Sequence, residues 1–140
     1  MNIKDENRIT YELNEYDLTA SVINSPKYNG SILIPSFVEY NNQKYKVISI
    51  NEKAFEDSKI KSLEFSQDSE MKYFAKYAFW GTKIDKLQIP SSLEIIESGW
   101  IIFLKDLKHI EVSPENKFFS IINNELLVGK RDPKQDNFDT

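Results

Sequence analysis

The sequence predicts a mainly β protein: a short solenoid of about three 23–24-residue repeats, closed at each end by a β-hairpin cap. Three observations lead there. One apolar pattern recurs at a near-constant spacing. A second pattern recurs at the same spacing in a different register. The residues on either side read as pairs of strands joined by tight turns.

Residues 60–66 (IKSLEFS), 84–90 (IDKLQIP) and 107–113 (LKHIEVS) each run apolar-x-x-apolar-x-apolar and end in Ser or Pro, with starts 24 and then 23 residues apart. Strand side chains alternate between faces. Leu63 and Phe65 are therefore expected to point inward, and Ser62, Glu64 and Ser66 outward. Upstream of these segments sit Ala54-Phe55, Ala78-Phe79 and Ile101-Ile102, again 24 and 23 residues apart. A small residue there lets the chain turn close to the neighbouring coil, and an aromatic fills the interior behind the strand. A looser set, Ile50, Phe74 and Ile96, precedes those pairs.

The flanks carry strand signals of their own. Residues 9–13 (ITYEL) and 18–23 (LTASVI) are rich in β-formers and separated by polar residues. Residues 24–30 (NSPKYNG) read as a loop, and 32–35 (ILIP) repeat the strand-then-Pro ending of the later segments. Residues 37–40 and 43–48 flank Asn41-Asn42, and 118–122 and 125–128 flank Asn123-Asn124. Asn tolerates the left-handed backbone of a two-residue turn, so both read as hairpins. The expected organisation is one domain: N-terminal strands and a capping hairpin over 1–49, repeats over 50–113, a capping hairpin over 114–129, and a polar tail over 130–140.

In the chain of 140 residues, 40% are hydrophobic and 13% aromatic, enough for a core and too much for a disordered segment. The net charge of -4 is interspersed, so nucleic acid is not an expected partner. With no cysteine there is no disulfide framework, thiolate metal site or cysteine nucleophile. The N-terminal residues lack the apolar stretch of a secretory signal, and no run approaches the ~18 apolar residues of a membrane span. The expectation is a soluble chain without direct membrane insertion, either whole or a piece of something longer.

No catalytic, cofactor-binding or metal site is expected. His109 is the only histidine and falls on an outward strand position, without a nucleophile-base-orienter set around it. Glu64, Gln88 and Glu111 should stack in one outward row. Coils about 4.8 Å apart would hold the two carboxylates ~10 Å apart. Inverting glycosidases space theirs at roughly 6.5–9.5 Å, within a pocket rather than on an open sheet. Gly129-Lys130 lacks the upstream glycines of a phosphate loop. Residues 132–139 lack the calcium-loop pattern. Asn29-Gly30-Ser31 is a glycosylation sequon, relevant to an exported chain. Trp100 is expected to fill the interior, while Trp80, following an Ala-Phe pair at a turn, is expected to be partly exposed.

The repeat resembles the BspA-type leucine-rich repeat. Residues 50–55 (INEKAF) with 60–66, and 74–79 (FAKYAF) with 84–90, match its Ile-x-x-x-Ala-Phe, polar turn, Leu-x-x-Ile-x-Ile-Pro unit. The flanks 32–50 and 112–128 resemble segments found beside such arrays. Ser58 and Thr82 stand where a Cys is frequent, Ile101-Ile102 replaces Ala-Phe behind an inserted Trp100, and Ser66 and Ser113 replace the terminal Pro. The resemblance implies a right-handed leucine-rich-repeat solenoid. It also implies a non-catalytic binding or adhesion module, on a cell surface or secreted. A protein or peptide partner is then expected on the outward row of Ser62, Glu64, Lys86, Gln88, His109 and Glu111, or at the Trp80 edge. The alternative is a structural or self-associating end of a longer array with no ligand of its own.

Overall fold

A computed structural model describes residues 1–24, 28–97, 107–122 and 125–127. Two parallel ladders face each other across the core, and the chain passes from one to the other in every coil. The first consists of β4 (Asn29–Ile34), β7 (Lys59–Phe65), β9 (Lys86–Ile89) and β11 (His109–Val112), stacked in that order. The second stacks β3 (Thr19–Val22), β6 (Gln43–Ile50), β8 (Tyr73–Phe74) and β10 (Ile95–Ile96). No helix occurs among the described residues, so none is long and apolar enough to cross a membrane. The mainly β solenoid read from the sequence is the observed fold.

Register keeps like positions on top of one another. Ile32 pairs with Leu63, Leu63 with Leu87, and Leu87 with Ile110; across the core, Val22, Ile50, Phe74 and Ile96 form the matching column. Leu63, Leu87 and Ile89 are fully buried, and Phe65 nearly so, which confirms the inward alternation. The Ala-Phe pairs also behave as expected. Ala54, Phe55, Ala78 and Phe79 are buried, and the Phe55 and Phe79 rings stack with centroids 5.8 Å apart. The Phe55 amide donates to the Ala78 carbonyl at 2.8 Å, so the small Ala allows the two turns to approach to bonding distance. Phe79 in turn meets Phe74 edge-on, and Phe74 lies against Phe65, which carries the aromatic column across the core.

The first coil departs from the expected picture. The sequence places residues 32–35 outside the repeats, within the N-terminal region, although they share the strand-then-Pro ending. Instead β4 is the first rung of its ladder, paired in parallel with β7. The reason is an insertion: β5 (Phe37–Tyr40) folds antiparallel onto β6 through Asn41 and Asn42, whose φ values are 50° and 63°. The tight turn is as predicted, but the hairpin lies inside the array and lengthens that coil, hiding its period. The same coil supplies Tyr28 in the place of a Phe, its ring 4.8 Å from that of Phe55.

At the N-terminal end, β1 (Asn2–Lys4) and β2 (Thr10–Asn14) extend the second ladder antiparallel beyond β3. Ile9, Tyr11 and Leu13 close the core there. The Tyr11 hydroxyl donates to the Asp5 carboxylate at 2.8 Å, and the Tyr28 hydroxyl accepts from the Thr10 amide and donates to the Ile23 carbonyl. Burial, reinforced for Tyr11 by the Asp5 charge, pushes both phenols above their ordinary range. At the other end, β12 (Ser120–Ile122) and β13 (Glu125–Leu127) pair antiparallel as expected. Asn123-Asn124, Trp100, Ile101-Ile102, Gly129-Lys130 and the tail 130–140 lie outside the described residues.

Candidate interaction face

The outward positions of the first ladder form two rows. One is Ser31, Ser62, Lys86 and His109; the other is Leu33, Glu64, Gln88 and Glu111. Period-two alternation on strands with buried inner faces leaves these side chains no other direction. Ser62, Glu64, Lys86 and Gln88 are half-buried, while Leu33, His109 and Glu111 are exposed. The six strand residues singled out in the sequence therefore share one face. Leu33 extends it by one rung, and sequence reasoning missed it because β4 was not recognised as part of the array.

Two contacts on this face run between coils. Lys86 Nζ lies 3.1 Å from Glu64 Oε1. The hydrogen bond to Glu64, then the charges of Glu64 and Glu111, raise the Lys86 pKa above the ordinary lysine value. Both side chains still reach solvent, so the pair organises the face more than it stabilises the fold. Gln88 Oε1 accepts the Phe65 amide at 2.6 Å. A side chain thus satisfies a backbone donor at the end of β7, where main-chain pairing with β9 has stopped. Gln88 is therefore part of the ladder as well as of the face. His109 is held through its own amide, which donates to the Asp85 carbonyl at 2.9 Å.

Trp80 lies elsewhere, on the turn leading into β9. It is 42% exposed, its ring is 5.2 Å from that of Tyr77, and its carbonyl accepts the Asp57 amide. Partial exposure is as expected for this residue.

Two shallow clefts border the face. One of about 250 Å³ opens at the strand ends, lined by Phe65, Ser66, Gln88, Pro90 and Ser113. The other, about 380 Å³, lies at the strand starts among Asn29, Asp57, Lys59, Lys61 and Lys83. Beside it the buried Ser58 hydroxyl has no hydrogen-bond partner. Thr82, in the same place one coil later, donates its hydroxyl to the Phe79 carbonyl at 2.8 Å. The Ser58 and Thr82 amides donate to the Phe55 and Phe79 carbonyls at 3.0 and 3.1 Å, so the two turns share this backbone bond and differ in the hydroxyl alone. No group of three or more His, Asp or Glu able to hold a metal occurs among the described residues. What the face offers is hydrogen bonds, balanced charge and a modest apolar area at Leu33.

Residues 22–127 match the model of the BspA type leucine rich repeat region, in six copies. The chain belongs to this family. The copies run through both the central repeats and the flanking strands, in keeping with β4 serving as a rung. No curated protein matches the sequence. Among solved structures, a leucine-rich repeat protein from Bacteroides capillosus is similar at 20% identity and a TM-score of 0.50, covering 80% of this chain and 98% of the other. The pneumococcal vaccine antigen PcpA is similar at 18% identity and a TM-score of 0.59, covering 84% of this chain and 39% of that one. Both likenesses concern the fold. This member of the BspA-type family is thus comparable in span to the first of these proteins and to well under half of the second.

Proposed function

We propose that this BspA-type repeat is a non-catalytic module for protein–protein interaction or adhesion, acting at a cell surface or after secretion. Its partner would bind across the outward rows of β7, β9 and β11. The observation that carries this reading is the shape and chemistry of the face. Six polar side chains from successive coils lie in two ordered rows on an open parallel sheet, bordered by two half-open clefts. An arrangement of that kind suits a partner that lies across several strands and gains specificity from matched charges. The surface setting is suggested by the likeness in fold to a structure described as a vaccine antigen, and Trp80 would serve as a flanking anchor.

The test is affinity capture from a surface-protein extract, run in parallel with the wild-type chain and with a variant carrying Glu64→Lys, Lys86→Glu, His109→Ala and Glu111→Lys. Gln88 is left intact because it completes the ladder. At equal folded content, judged by circular dichroism, the variant is expected to lose at least about tenfold in affinity for the captured partner, in line with reversal of several interface charges. Equal retention by both chains would exclude this face.

A further inference from the structure

We propose that the outer edge of β4 pairs with the same edge of a second copy of this chain, joining two solenoids through one continuous sheet. The two ladders end differently at the N-terminal side. The second is carried past β3 by β2 and β1. The first stops at β4, and among the described residues no strand pairs with its outer edge. The Lys59 amide donates to the Tyr28 carbonyl and the Ser66 amide to the Ile34 carbonyl, so even-numbered positions of β4 serve β7. By the two-residue period, the main chain of Ser31 and Leu33 faces away from β7 and is left to bond outward.

Edge strands in soluble proteins are normally blunted by charge, proline or brevity. The others here follow that rule. β1 carries Lys4, β5 carries Glu39, β11 carries His109 and Glu111, and β13 carries Glu125, while β10 and β12 are two and three residues long. β4 has six residues and no charge, and Leu33 on it is 52% exposed. Gly30, with φ of 69° and a register shift between it and Ser31, bends the start of the strand. Pro35, lacking an amide hydrogen, ends the usable edge. The flat stretch is therefore Ser31 to Ile34.

The absence of charge is what selects a second copy as the occupant. Antiparallel pairing about a two-fold axis sets residues close to their own counterparts, so a charged residue near the axis repels itself. β4 meets that condition. With Ile32 on the axis, Ser31 of one copy faces Leu33 of the other, and the two exposed Leu33 side chains lie on one diagonal. A contact of three residues per strand, Ser31 to Leu33, is small and predicts a weak dimer, formed at high concentration. The inference is independent of the partner-binding face, whose charged residues lie on β7, β9 and β11.

Sedimentation velocity across a hundredfold range of concentration tests it. The wild-type chain is expected to shift from monomer towards dimer, and Leu33→Lys and Leu33→Glu are each expected to remain monomeric at every concentration. An equimolar mixture of those two variants is expected to recover the dimer, because opposite charges then meet across the axis. Leu33 is exposed, so circular dichroism should be unchanged; if either variant misfolds, Ser31→Lys at another exposed position takes its place with the same expected loss. A wild-type chain that stays monomeric, a charged variant that dimerises like the wild type, or a mixture that does not recover would each overturn the proposal.

Discussion

The turns around Phe55 and Phe79 are two copies of one backbone. Lys53 and Tyr77 both sit at φ 61°, and Asp57 and Gly81 both have positive φ, 55° and 80°. Ala54 and Ala78 donate three residues back, to Asn51 and Ala75. Yet one turn carries Asp where the next carries Gly. The reason lies between the coils. A Cβ placed on Gly81 would stand 2.0 Å from Asp57 Oδ1, so the carboxylate of one turn occupies the space that a side chain of the next would need. Identical backbones do not demand identical residues in a stack; each position is also shaped by what the preceding coil sets above it.

Substituting the two aromatics asks whether the turns are energetically alike. Phe79→Ala and Phe55→Ala should each cost about 3–5 kcal/mol by urea denaturation, since both rings are buried between two others. A marked inequality between them would break the equivalence. The Asp57–Gly81 contrast comes next. Gly81→Ala should cost about 2–3 kcal/mol, combining left-handed strain with overpacking. Asp57→Gly should be neutral or slightly stabilising, and adding it to Gly81→Ala should recover part of the loss. Full additivity of the two would show that the carboxylate is not the obstacle.

The equivalent position of the first coil sharpens the comparison further. Tyr28 replaces Phe so that its hydroxyl can bond the N-terminal strands, and Tyr28→Phe should cost about 1–2 kcal/mol near neutral pH. Burial holds its folded pKa above the ordinary tyrosine value. The folded state therefore holds the proton more tightly, and this contribution is present below pH 10 and lost as pH rises beyond it. Tyr28→Phe should accordingly flatten the alkaline decline in stability, with Tyr11 and the Lys86–Glu64 pair contributing to what remains. The smallest effect separates the two hydroxyls. Thr82→Ala should cost about 1 kcal/mol, and Ser58→Ala close to nothing, measured in the same denaturation series.

Features that repeat along the chain were legible in the sequence, and features that depend on a neighbouring coil were not. Leu63, Phe65, Leu87 and Ile89 announce their inward direction through alternation alone, and Asn41-Asn42 announces a turn through its backbone tolerance. The outward row followed from the same alternation. β4 was obscured because the β5–β6 hairpin broke the spacing before the period could be seen. β1 is too short to show alternation. The bond from Phe65 to Gln88, and the crowding of Gly81 by Asp57, join residues in successive coils, and a single sequence carries no mark of either.

Strand β6 belongs to two kinds of pairing at once: a local antiparallel one with β5, and distant parallel ones with β3 and β8. That double membership has a kinetic meaning. Closing a two-residue turn sacrifices far less chain entropy than bringing together rungs a full coil apart, so this hairpin costs less to form than any of the parallel pairings of β6. Once made, it holds β6 extended, ready for its neighbours on either side to add to it. The insertion that conceals the period of the first coil is also the place from which growth of the array can begin.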